Sequence, residues 1–199
     1  MRETLLLYNQ CMQTSLRTAR LILRRWKQPD IKPFAAMNSD PEVMEFFPSV
    51  LSLEQSVDMV KSIEDRFDKE GYGLWAVEIE DTGEFVGFVG LSQPKFDTHF
   101  TPCVEVGWRI ARRHWGKGYA PEAAKEALRD GFERLDLSEI VSFTAALNNK
   151  SIRVMEKIGM RRNAEDDFLH PLVEDGSPLK PHVLYRLSRD QWLSRAVEL

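Results

Sequence analysis

A chain of 199 residues, 43% hydrophobic and 29% charged, has the composition of an ordinary globular protein with one filled core, so a single domain is expected. Its 27 lysines and arginines against 31 acidic residues leave a net charge of −4, which sets aside nucleic acid and anionic membranes as partners and requires any anion site to be local. Cys11 and Cys103, the two cysteines, stand in no CxxC or Cys/His spacing, so neither a disulfide framework nor a metal is expected, and a cytoplasmic location fits.

Residues 1–14 read as a disordered leader. Their apolar run, Leu5 to Tyr8, is far shorter than the roughly 7–15 residues of a signal-peptide core, patterned sequence begins only near Ser15, and Met12 offers a second start. No window approaches the roughly 20 apolar residues that span a bilayer. The domain is expected over 15–192, with a tail at 193–199.

Arg20 to Trp26 mixes apolar and charged residues as a half-exposed first strand does. Two short helices should follow, one capped by Asp30 with Ile31, Phe34 and Ala35 on one face, the other restarted by Asp40-Pro41 with Val43, Met44 and Phe47 inward. Ser52-Leu-Glu-Gln55 matches a capping box, and Val57, Val60, Ile63 and Phe67 keep helical spacing up to Gly71. Leu74 to Glu80 and Glu84 to Leu91, separated by Asp81-Thr-Gly83, predict an antiparallel hairpin. Val104 to Ala111 alternates strictly, which puts Val104, Val106, Trp108 and Ile110 on one face and Glu105 on the other.

A helix from Pro121 to about Leu135 carries Ala124, Ala127, Leu128, Gly131 and Leu135 as its buried stripe, and a strand follows from Ile140 to Ala145. Asn148 or Asn149 can cap the next helix, with Val154, Met155 and Ile158, which Gly159 ends. Arg161 to Pro181 is polar and reads as a long loop. Val183 to Leu187 closes the sheet, and Ser188 caps a last turn through Trp192.

Arg112-Arg-His-Trp-Gly-Lys-Gly-Tyr-Ala120 lies between an apolar strand and a long helix. Gly116 and Gly118 let the backbone turn tightly so that successive N–H groups can face an anion. The helix N-terminus after them adds partial positive charge, and Arg112, Arg113 and Lys117 add formal charge. A Walker A loop needs Ser or Thr after Gly-Lys, where this chain has Gly118; a dinucleotide fingerprint needs glycine where it has Pro121. The readings left are a pyrophosphate site for coenzyme A and a bare structural turn.

Arg113-x-x-Gly116-x-Gly118-x-Ala120 resembles the R/Q-x-x-G-x-G/A signature of the GNAT N-acetyltransferases, at the junction where that family carries it. Asn148-x-x-Ser151, Met155 and Gly159-Met160 resemble the family's second motif, and Arg20-Leu-Ile-Leu-Arg and Glu105-Val-Gly-Trp-Arg are similar to the branch of the ribosomal-protein N-terminal acetyltransferases. The resemblance covers about residues 15–190. It implies an α/β (α+β) fold with a central, mixed, mostly antiparallel sheet, flanked by helices and splayed between its fourth and fifth strands. It also implies acetyl-CoA as co-substrate, an amine as acceptor, no metal, and a monomer or homodimer. The backbone around Trp108, Ile110 and Ala111 would pair with pantetheine; Arg113, Gly116, Lys117, Gly118, Tyr119 and Ala120 would hold the pyrophosphate; Asn148, Ser151 and Met155 would flank the thioester.

Acetyl transfer needs a neutral amine. An α-amine with pKa near 8 is roughly a tenth neutral at pH 7, a lysine only a few parts in ten thousand, so an α-amine acceptor asks little of a base. Glu105 is the candidate base from its place on the polar side of the strand, where relatives often carry a glutamate. Ser151 is the candidate proton donor to the thiolate, because relatives' tyrosine is replaced by Met155. Met155 also supports an alternative, a catalytically idle acyl-CoA-binding module. Among the histidines, His170 and His182 flank the loop that would border the acceptor groove, and His182 is a second candidate base. Trp26 and Phe47 are candidates for the acceptor side, whereas Trp75, Phe88 and Phe143 fit strand cores.

Overall fold

In the computed structural model the described residues are 14–196; residues 1–13 of the expected leader, with Cys11 and Met12, and residues 197–199 of the expected tail lie outside them. The expected opening strand is a hairpin. β1 (Ser15–Arg17) and β2 (Leu21–Arg24) pair antiparallel, and the turn is closed by the Leu21 N–H donating to Thr18 Oγ1 at 3.0 Å.

α1 (Ile31–Asn38) forms, but the Asp30 side chain does not cap it: its carboxylate accepts from Arg24 and from the Lys27 N–H instead. The second short helix does not form: residues 41–49 are turns and bends. Asp40 Oδ1 accepts the Glu42 N–H at 2.9 Å, a local bond that competes with a helix start, and a stretch between Pro41 and Pro48 is too short to offset helix nucleation. Val43 and Met44 are still buried, while Phe47 is 38% exposed. α2 (Leu53–Glu70) has both bonds of the Ser52/Gln55 capping box and a left-handed C-cap at Gly71. Its inward stripe is Ser56, Val60, Ile63 and Phe67; Val57, expected inward, is 42% exposed.

β3 (Leu74–Ile79), β4 (Phe85–Ser92), β5 (Glu105–Ile110), α3 (Tyr119–Glu133), β6 (Glu139–Ala145) and α4 (Asn149–Lys157) follow. In the segment read as a long loop, β7 (Arg161–Arg162) and β8 (Phe168–Leu169) pair with β9 (Pro181–Ser188). α5 (Arg189–Ala196) extends well past the single turn expected through Trp192.

All nine strands lie in one sheet of order β1-β2-β3-β4-β5-β6-β9-β7, with β8 also beside β9. Every pairing is antiparallel except β5 with β6, which run parallel. That pair touches in register only at Glu105 and Val141, with the Val141 N–H donating to the Val104 carbonyl at 2.9 Å. Beyond that point the two strands diverge, which opens the sheet into a V. Gly131 of α3 fits against Leu91 and Ile140, on the face opposite the one where Phe34 of α1 meets Phe88. This is the mixed, mostly antiparallel sheet flanked by helices that the resemblance implies, its expected fourth and fifth strands being β5 and β6 because β1 adds a strand at the start.

Candidate active site

The V opens into a cavity of about 790 Å³, within the range of small-molecule sites. Gly116 and Gly118 have φ of 74° and 81°, left-handed values that glycine adopts without strain, and Gly118 is the N-cap of α3. The N–H groups of Tyr119 and Ala120 begin the helix, where no intrahelical acceptor exists; Pro121 has no N–H to leave unpaired. Gly116, Gly118, Tyr119, Ala120 and Pro121 all line the cavity, as do Trp108, Ile110, Asn148, Ser151 and Met155.

Three expected donor-site residues do not line it: Ala111, Arg113 and Lys117. The Arg113 side chain turns back onto β4, donating from Nε to Glu84 Oε1 at 2.9 Å and from Nη2 to the Phe85 carbonyl at 3.2 Å. That pairing holds the Glu84 carboxyl below its usual range. A brace not foreseen from the sequence comes from Arg20, which donates to the Lys117 carbonyl at 3.0 Å, pairs with Glu122 and covers the Tyr119 ring at 4.9 Å. Cationic lining comes instead from one side of α4, Lys150, Arg153 and Lys157, whose spacing of three and four residues aligns them on a helix. Lys150 Nζ stands 4.0 Å over the Trp115 ring.

At the apex of the V, Glu105 lines the cavity with no cation within ion-pairing distance among the described residues. Burial pushes its carboxyl up to about 8. On the opposite wall, Asn148 caps α4 by accepting the Ser151 N–H at 3.1 Å, and its Nδ2 donates to Thr144 Oγ1 at 3.0 Å and Ser151 Oγ at 3.1 Å. Ser151 Oγ therefore accepts from below and keeps its own proton for a partner in the cavity. Met155, 1% exposed, is fixed in the wall beside it.

His170 and His182, twelve positions apart in the chain, are brought together with ring centroids 4.7 Å apart. Both line the cavity alongside Phe96 and Phe143. The His182 Nδ1 faces the Lys180 carbonyl at 3.1 Å, which makes Nδ1 the protonated nitrogen and leaves Nε2 as an acceptor. The Leu172 N–H donates to His170 Nδ1 at 3.2 Å, the complementary tautomer. Burial lowers both, His170 to about 4. Phe143 thus serves as core and wall at once, and Phe88 and Phe47 also line the cavity. Trp26 does not; it packs edge-on against Phe34 with its Nε1 donating to the Leu74 carbonyl at 2.8 Å.

The acetyltransferase (GNAT) domain family matches residues 20–161 of this chain. YkkB, an uncharacterized protein of Bacillus subtilis, is 35% identical over 151 residues, 74% of this chain and 86% of that protein. The FsC-acetyl coenzyme A-N(2)-transacetylase of Aspergillus fumigatus is 30% identical over 194 residues, 91% of this chain and 79% of that enzyme. The crystal structure of a GNAT-family acetyltransferase from Bacillus anthracis superimposes with a TM-score of 0.74 at 26% identity, covering 89% of this chain and 99% of that one.

Proposed function

The chain belongs to the GNAT acetyltransferase family, whose acyltransferases use acetyl-CoA, and from that premise we propose that it transfers acetyl directly to a primary amine, with donor and acceptor bound together. The observation that carries this reading is the convergence, in one cavity, of the left-handed glycine turn, the diverging edges of β5 and β6, and the Glu105 carboxyl at their meeting point. A protein N-terminal α-amine or a small-molecule primary amine is the proposed acceptor.

The cavity fits coenzyme A on its own geometry. A Cβ at Gly118 would meet only the end of the Arg20 side chain, at 3.4 Å, so glycine is favoured there by the left-handed φ of 81° and not by packing. The free N–H groups of Gly118, Tyr119 and Ala120 and the cations of α4 suit its phosphates. Coenzyme A supplies the activated acetyl thioester. Trp108 and the Ile110 N–H, on the edge of β5 that β6 leaves, would orient the pantetheine amides, the Ile110 carbonyl being taken by Trp115 Nε1 at 2.8 Å, and a β5 N–H would polarise the thioester carbonyl.

Glu105 accepts the amine proton, directly or through water, and Ser151 Oγ–H donates toward the departing thiolate. A covalent acetyl-enzyme has little support. Cys103, the one cysteine among the described residues, does not line the cavity, and burial pushes its thiol up to about 11.

Met155 in place of a tyrosine favours a second reading, an idle acyl-CoA-binding module. Thiol release from acetyl-CoA, measured with a panel of peptides, aminoglycosides and polyamines, separates the two. An enzyme yields stoichiometric thiol and an acetylated amine; a binding module gains melting temperature with acetyl-CoA and releases none.

A further inference from the structure

Two arginines in this fold are buried to the same degree and treated in opposite ways. Arg24 and Arg109 are each 8% exposed. Arg24 is held by two carboxylates, Asp30 at 2.6 Å and Glu78 at 2.6 Å. Arg109 has no carboxylate within 4 Å among the described residues. Among the described residues its guanidinium makes one hydrogen bond, from Nη1 to Asn38 Oδ1 at 2.6 Å, and its Nε is buried with no partner. A guanidinium has five N–H donors, and a buried cation without a counter-charge is costly; here burial lowers its pKa to about 10.

Arg109 is also held still. The Phe47 ring lies 4.3 Å and the Phe88 ring 5.4 Å from its guanidinium carbon. Asn38, fully buried, presents its oxygen to Arg109 because its Nδ2 donates to Ser56 Oγ at 3.0 Å, and the Ser56 hydroxyl donates in turn to the Ser52 carbonyl at 2.9 Å. Arg109 is among the residues that line the cavity. With a strand period of two, Arg109 projects from the same face of β5 as Glu105, four residues away.

We propose that Arg109 is the anion-binding residue of the acceptor site, so that the acceptor is a primary amine that also carries a carboxylate. This deepens the acetyltransferase reading and rests on it. Glu105 takes the amine end, Arg109 the carboxylate end, and Phe96 and Phe143 face the apolar part. The cavity is poorly matched to a polyamine. Among the described residues its acidic lining is Glu42 and Glu105, and Glu42 is paired with Arg112 at 2.5 Å.

Matched acid and amide acceptors test the proposal: L-phenylalanine against L-phenylalaninamide, and 6-aminohexanoate against its amide. The wild-type protein should prefer the acid of at least one pair by about 30-fold in kcat/KM, the scale set by a buried charge pair. In Arg109→Met that preference should collapse through KM, with the amide little changed; Arg109→Lys, which keeps the charge and loses the fork, should fall between. Calorimetry of the same acids and amides against wild-type protein saturated with coenzyme A reads binding whether or not transfer occurs, and does not depend on either variant folding. Equal use of acid and amide by the wild-type protein, a preference for polyamines, or an acid preference unchanged in folded Arg109→Met would each overturn the proposal and leave the enzyme reading intact. Selective binding of acids without any transfer would do the reverse.

Discussion

Glu105 stands opposite Val141 at the one register point where β5 and β6 touch, so its carboxyl sits where the sheet begins to part. Burial raises it to about 8, close to the pKa of an α-amine. Proton transfer between the two is then nearly thermoneutral, the condition under which a general base works well. Turnover at saturating substrate should rise with pH up to about 8 and level off above it, as the carboxyl ionises. Glu105→Gln should lower turnover about 100-fold near neutral pH, with partial recovery in alkali and little change in acetyl-CoA affinity. A pH profile of the variant superimposable on that of the wild type would show that Glu105 is a spectator.

The same burial makes a second prediction, on stability. A carboxyl raised from its ordinary 4.5 to about 8 binds its proton more tightly in the folded chain than in the unfolded one. The contribution of Glu105 to stability is therefore largest below pH 4.5 and falls as pH rises toward 8, by less than the limiting value of about 1.4 kcal/mol per pH unit because the carboxyl is half-buried against the cavity. Glu105→Gln removes that charge, so it should raise the melting temperature relative to wild type at pH 8 and not at pH 4. Equal differences at the two pH values would mean that the carboxyl is solvated in the folded protein.

Gly118 offers a test of the donor site. An aspartate there would adopt a left-handed φ, which costs about 1 kcal/mol, and would put negative charge at the N-terminus of α3 where a pyrophosphate would bind. Gly118→Asp should fold and lose acetyl-CoA binding in calorimetry. Gly118→Asn, of the same size and without the charge, should bind more weakly than wild type and more tightly than Gly118→Asp. Wild-type affinity in a folded Gly118→Asp would remove the phosphate-binding role from this turn.

What could be read in the sequence was local. The Ser52 capping box, the Asn148 cap and the Gly116/Gly118 turn need only a few neighbouring residues to form, and the alternation through Val104 to Ile110 placed Glu105 on the polar side. What could not be read was where that polar side goes. Loop 39–52 lays Phe47 across it, and this docking, which buries Arg109, depends on residues some sixty positions away. β7 and β8 have no pattern of their own, being two residues each, and exist because β9 offers them an edge. Arg113 was read toward the turn from its place in a motif, but Glu84, a distant residue in sequence, holds its side chain elsewhere. The pairing of His170 with His182 needed the same long-range strand contacts.

The last prediction concerns Ser151, whose position follows from Asn148. Because Asn148 Nδ2 donates to Ser151 Oγ at 3.1 Å, the hydroxyl is oriented and its proton is left for the cavity, where Met155 has a thioether and none to give. A coenzyme A thiolate is already a fairly stable leaving group, so the help it needs is small. Ser151→Ala should reduce turnover about tenfold, equivalent to about 1.4 kcal/mol in the barrier, with acetyl-CoA affinity changing less. The helix should survive, since the capping bond runs from the Ser151 N–H to Asn148 Oδ1 and does not use the hydroxyl. Asn148→Ala, by contrast, removes that cap and should cost about 1 kcal/mol of stability as well as turnover. Saturated rates and thermal melts on both variants decide the matter: full turnover in Ser151→Ala, whatever its melting temperature, would assign the serine to packing and leave proton delivery to water.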